Sequence, residues 1–128
     1  RAASALRRVN LDGQAERMID ALSAGQFQRL MFARLLMSDA RIIMLDEPFT
    51  ALDAPTTQDL LELVREWHAQ GRTIIAVLHD IHQIRTCFPH VVLLSAGRAM
   101  WGETTRILTP DTLHAAYAPT QAGGAAWS

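Results

Sequence analysis

With 128 residues, 49% of them hydrophobic, the chain is long enough for one buried core and too short to demand a second domain. Its formal net charge of -1 is spread along the sequence with both signs mixed, so there is no basic stripe for neutralising phosphates and nucleic acid is not an expected partner. A lone cysteine, Cys87, cannot form an intrachain disulfide and fits a reducing compartment, while no apolar run approaches the roughly 20 residues that a spanning helix needs.

The chain opens on Arg1 with a small, polar stretch that lacks the apolar core of a signal peptide, and it is expected to be part of a longer one. Ser23, Gln26 three residues later and the apolar positions Phe27, Leu30, Met31, Ala33, Leu36 and Met37 read as a capping box opening a helix over residues 23–37. The run Ile42, Ile43, Met44, Leu45 has no polar alternation and stops at Asp46-Glu47-Pro48, which predicts a short strand buried on both faces and central in a parallel sheet. Leu60, Leu61, Val64 and Trp67 recur at helical spacing, with Gly71 placed to end the helix, so residues 55–70 are predicted helical. A second strand follows over residues 73–78.

Strand, helix and strand in this order predict a βαβ unit with parallel strands and a right-handed crossover. Asp46, Glu47 and His79, each just past a strand, then meet at the carboxyl edge where open α/β sheets bind ligands. A short helix at 81–87 leads to a strand at 91–94, and Ala96-Gly97-Arg98 suggests a hairpin with residues 99–101. Thr109-Pro110-Asp111 caps a last helix reaching Tyr117, and the small, Gly-rich stretch 118–128 is predicted to be a disordered tail after a single domain over 1–117.

A helix that opens with Ser23 and Gly25 offers unpaired amides, a hydroxyl and the positive end of its dipole to an anion. Taken alone, Ser23 is an ordinary N-cap. Asp46 at a buried strand end suits Mg²⁺ held through water, because Mg²⁺ keeps much of its hydration and takes few protein carboxylates. Glu47 beside it is expected to face the other way and polarise a water, with Pro48 pushing its backbone towards extended geometry. His79 can report a phosphate by hydrogen bonding. A metal site from His79, His82, Cys87 and His90 matches no usual zinc spacing, and Arg29 and Arg34 are expected on a solvated face or in ion pairs.

Leu22-Ser23-Ala24-Gly25-Gln26-Phe27-Gln28-Arg29 and then Ile42-Ile43-Met44-Leu45-Asp46-Glu47-Pro48 resemble the signature and Walker B motifs of the ABC ATPase family. Thr50-Ala51-Leu52-Asp53 resembles its D-loop, and His79 in Val77-Leu78-His79-Asp80 its switch histidine. The resemblance covers about residues 20–117. It implies an α/β fold, the C-terminal part of a P-loop NTPase domain with parallel strands, crossover helices and a C-terminal hairpin. Ala24 stands where the family usually has glycine; alanine would cost about 1–2 kcal/mol at positive φ but nothing in helical geometry, and helical geometry is expected. All twelve basic residues are arginine, so no Gly-x-x-x-x-Gly-Lys-Ser/Thr loop exists here, and this stretch alone is expected to be inactive.

The family resemblance implies ATP and Mg²⁺ as cofactors, with Glu47 and His79 catalytic, Asp46 on the metal, and Ser23, Ala24, Gly25, Gln26 and Asp53 on nucleotide held across a head-to-tail dimer. It further implies the ATP-hydrolysing subunit of a membrane transporter, peripheral on the cytoplasmic face. Partners would be a second nucleotide-binding subunit, a transmembrane permease and an extracytoplasmic solute-binding protein. The wording around Walker B and the switch resembles zinc/manganese importers. The alternatives are a non-transport ABC ATPase of DNA repair, chromosome organisation or translation, for which heptad arms or basic additions would be expected, and a non-catalytic binding fragment.

Overall fold

Helix α2 (Ala24–Leu36) starts where the sequence supplies its cap: the Ser23 hydroxyl accepts the Gln26 amide at 3.1 Å, and the Gln26 side-chain oxygen accepts the Ser23 amide at 3.0 Å. This reciprocal box satisfies two donors that a helix start leaves orphaned, and loss of such a cap costs about 0.5–2 kcal/mol. These observations come from a computed structural model that describes residues 1–11 and 22–117. It divides into two compact units, Arg1–His79 and a second beginning at Asp80.

In the first unit a short helix that the sequence reading did not anticipate, α1 (Ala2–Arg8), packs on α2 through the buried Ala5. Val9 and Leu11 are buried just beyond it. Strand β1 (Ile42–Asp46) lies parallel to β2 (Thr73–Val77), in register from Ile42 opposite Thr73 to Asp46 opposite Val77. Helix α3 (Ala54–Ala69) joins them, beginning one residue before the predicted span. Asp53 accepts the Thr56 amide at 2.8 Å to cap it, and Pro55 suits the first turn, where its missing N–H is no loss.

Gly71, at φ +88, ends α3 as expected. Its amide bonds the His68 carbonyl at 2.9 Å and that of Arg72 bonds the Trp67 carbonyl at 3.1 Å, the paired bonds of a Schellman turn. Helix α3 buries Leu60, Leu61, Leu63, Val64 and Trp67. In that core the Phe32 ring stacks between Phe49 at 5.9 Å and Trp67 at 6.1 Å between centroids. Each such pair adds about 0.5–1.5 kcal/mol beyond area burial, and the stack ties α2 and the turn after β1 to α3.

The expectation that β1 is buried on both faces is corrected. Ile43 and Leu45 are buried, but Ile42 and Met44 on the opposite face are exposed, Met44 at 75%. In β2 only Ile74 and Ala76 are partly covered, while Ile75 and Val77 share the open face. The sheet has two strands among the described residues, and one of its sides is covered within this chain.

In the second unit Asp80 caps α4 (Ile81–Cys87) by accepting the Gln83 amide at 3.1 Å. Strands β3 (His90–Ser95) and β4 (Arg98–Glu103) pair antiparallel, each longer than predicted. Ala96 and Gly97 both take positive φ, 49° and 74°, the geometry of the type I′ turn whose twist matches a two-residue hairpin. A one-turn helix that the sequence reading missed, α5 (Thr104–Ile107), is pinned by the Thr104 hydroxyl donating to the Phe88 carbonyl at 2.6 Å. Helix α6 (Pro110–Tyr117) follows at the predicted place. The predicted tail at 118–128 lies outside the described residues.

Candidate functional site

The capping box leaves specific groups free for an anion. The Ser23 oxygen already accepts the Gln26 amide, but a hydroxyl keeps its own proton to donate. The Ala24 and Gly25 amides belong to the first turn, where no intrahelical acceptor exists. Ala24 is the first helical residue and has no positive φ, so alanine here costs no strain and favours the helix. Gly25 has a packing reason besides access for an anion. A Cβ added to it would lie 3.1 Å from the Ala51 carbonyl oxygen and 3.7 Å from the Leu52 side chain, so the start of α2 lies directly against the turn that precedes α3.

At the carboxyl edge of the parallel strands, the Glu47 carboxylate hydrogen-bonds the His79 ring nitrogen Nε2, across 32 residues of sequence. The βαβ reading brings these two together as expected. The backbone at Glu47 differs from expectation, being left-handed at φ 46 rather than extended. The following proline closes the right-handed helical region to this residue. The turn is fixed from both sides, by the Glu47 amide bonding the Val77 carbonyl at 2.9 Å and the Thr50 hydroxyl donating to the Glu47 carbonyl at 3.1 Å. A non-glycine residue held there costs about 1–2 kcal/mol, and backbone strain of this kind gathers at functional sites.

Asp46 is exposed rather than at a buried strand end, because it lies on the uncovered face of β1. An exposed carboxylate next to Glu47 still fits a cation held through water. Asp53 accepts the Thr56 amide, and its pKa is held below the ordinary aspartate value, first by hydrogen bonding with the Thr56 side chain, then with its amide, with a smaller contribution from the Arg29 charge. Arg29, expected on a solvated face or in an ion pair, is not on a solvated face, and its charge acts on Asp53. It is partly buried and donates to the Thr56 hydroxyl at 2.9 Å. No pattern in the sequence links Arg29 to Thr56, since they sit on different helices.

Residues 1–50 match the sequence model of the ABC transporter family, so the similarity includes the opening stretch left unassigned by motif reading. The chain is 39% identical over 112 residues, 88% of its length and 43% of the relative, to the Chlamydia pneumoniae protein named Probable metal transport system ATP-binding protein. It is 34% identical over 116 residues to the manganese transport system ATP-binding protein MntB of Bacillus subtilis, covering 91% of this chain and 46% of that one. Among solved structures it is similar to a metal-chelate type ABC transporter in an inward-facing conformation, at TM-score 0.79 and 33% identity over 91% of this chain and 47% of the other. A dimeric bacterial ABC transporter cassette gives TM-score 0.71 and 29% identity over 80% of this chain and 45% of the other. The chain thus spans less than half the length of the relatives it matches.

Proposed function

We propose, from the premise that this chain belongs to the ABC transporter family of ATP-binding proteins, that it is the C-terminal part of an ATP-hydrolysing subunit driving a membrane transporter. The observation that carries the reading is the Glu47–His79 contact at the carboxyl edge of two parallel strands, on a backbone fixed in left-handed geometry. In this reading Glu47 accepts the proton of the attacking water, and His79 orients the carboxylate and senses the terminal phosphate. Asp46 would hold Mg²⁺ through water. Mg²⁺, when bound, neutralises charge that builds on the phosphate oxygens.

Ser23, Ala24, Gly25 and Gln26 donate to nucleotide held by the phosphate-binding loop of a second subunit, and Asp53 stands at that contact. The dimeric cassette among the similar structures supports pairing with a second subunit, here taken to be head-to-tail. The relatives named for metal and manganese transport support a transition-metal cargo. The partners are then a permease and an extracytoplasmic solute-binding protein, with this subunit peripheral on the cytoplasmic face.

Glu47→Gln in the full-length protein tests the reading. The amide keeps the size of the side chain but cannot take a proton, so turnover should fall about 10²–10⁴-fold while ATP binding persists. Unchanged steady-state hydrolysis removes Glu47 from this role.

A further inference from the structure

Two segments meant for a partner's nucleotide lie against each other within one subunit. The start of α2, with Ser23 and Gly25, presses on the backbone of Ala51. One turn further along α2, Arg29 reaches Thr56 at the start of α3 with a 2.9 Å hydrogen bond. Thr56 is buried, and its amide is the one that Asp53 caps. A single threonine therefore receives Arg29 on its hydroxyl and offers its N–H to Asp53.

The position is costly to maintain. The Nε of Arg29 is buried without an acceptor among the described residues, a penalty of about 1–3 kcal/mol for a polar group left unpaired. Shorter or purely apolar side chains would avoid that penalty but could not reach across to the α3 cap. Lysine would bring the charge without the planar fork that lets one guanidinium nitrogen bond while the group stays packed.

We propose that Arg29 is a positioning residue that clamps the signature helix to the Asp53 turn, so that both meet the partner subunit's nucleotide as one rigid surface. The inference rests on the reading of these segments as acting in trans. It adds that they do so as a coupled pair, through a residue that touches no nucleotide.

Heterodimers of the full-length protein with one working composite site separate this from a general role in folding. One subunit carries an inactivated phosphate-binding loop and supplies signature and D-loop; its partner carries Ser23→Arg and supplies the phosphate-binding loop and Glu47. Arg29→Ala in the first subunit should lower turnover at least tenfold and raise the ATP concentration needed for half-maximal rate. In the second, whose signature is already blocked, it should change turnover less than twofold. Thr56→Val in the first subunit should reproduce the effect and Thr56→Ser should restore it. Equal losses from both placements, or no loss from either, overturn the clamp while leaving the trans reading intact. If the control pair without any Arg29 change is inactive although the heterodimer forms, the trans reading fails and the clamp fails with it.

Discussion

Replacing Gly25 by alanine sets two opposed magnitudes against each other. Gly25 lies in the first turn of α2, where alanine gains up to about 1 kcal/mol of helix propensity. Against this, the new Cβ would sit 3.1 Å from the Ala51 carbonyl oxygen, closer than the roughly 3.3–3.6 Å of a weak C–H···O contact, so the turn must retreat by a few tenths of an ångström. That turn has little room: Phe49 is buried in the aromatic stack and the Leu52 amide bonds the Phe49 carbonyl at 3.2 Å. Overpacking of this sort costs about 1–3 kcal/mol, which exceeds the propensity gain. Gly25→Ala is therefore expected to lower stability by up to about 2 kcal/mol and to reduce ATP turnover in folded protein through displacement of the Asp53 turn. Denaturant midpoints and steady-state hydrolysis of the full-length protein measure both. A variant that is stabilised yet inactive would show that glycine serves anion access alone, and one that is stabilised and fully active would refute both reasons for glycine.

Two further substitutions separate capping from chemistry. Ser23→Ala removes the oxygen that accepts the Gln26 amide and should cost about 0.5–2 kcal/mol. Hydrolysis measured on the surviving folded protein should also fall, and unchanged turnover would reduce Ser23 to a cap. Asp53→Asn keeps an equally good N-cap but removes the charge. Because the folded-state pKa of Asp53 is depressed, its charged form contributes stability that is present above the unfolded value and lost as pH falls through the folded one. Wild type should thus exceed Asp53→Asn at neutral pH, and the gap should close below about pH 4; a gap that stays constant or widens on acidification contradicts the Thr56 and Arg29 interactions.

What was legible in the sequence follows from how local each signal is. The capping box, the Gly71 stop and the Ala96-Gly97 hairpin are each written within a few residues, and each appears where expected. The Glu47–His79 meeting was accessible because parallel strands oblige their carboxyl ends to meet. Helices α1 and α5 were missed because seven and four residues are too few to establish a 3.6-residue period, and such short helices depend on packing. The left-handed Glu47 was missed because a proline excludes one backbone region without choosing between the others. Arg29 read as solvated or ion-paired because a charged side chain on an amphipathic helix usually is; only the position of α3 turns it inward to Thr56.

The stretch from 47 to 53 is anchored independently at several points, and this decides what it can transmit. Its first residue is bonded to β2 through the Val77 carbonyl, its centre is buried through Phe49, and its last residue caps α3 beside the hydroxyl that Arg29 grips. Each anchor belongs to a different element, so the two ends of the stretch are held separately. In the proposed function the general base stands at one end and the dimer contact at the other. Glu47 keeps its own anchors at the Val77 carbonyl and the Thr50 hydroxyl, so loss of the Arg29 grip loosens the dimer contact and leaves the carboxylate in place. The left-handed Glu47 backbone, the buried Arg29 nitrogen and the close Gly25 contact thus lie around one short turn whose two ends can be perturbed one at a time.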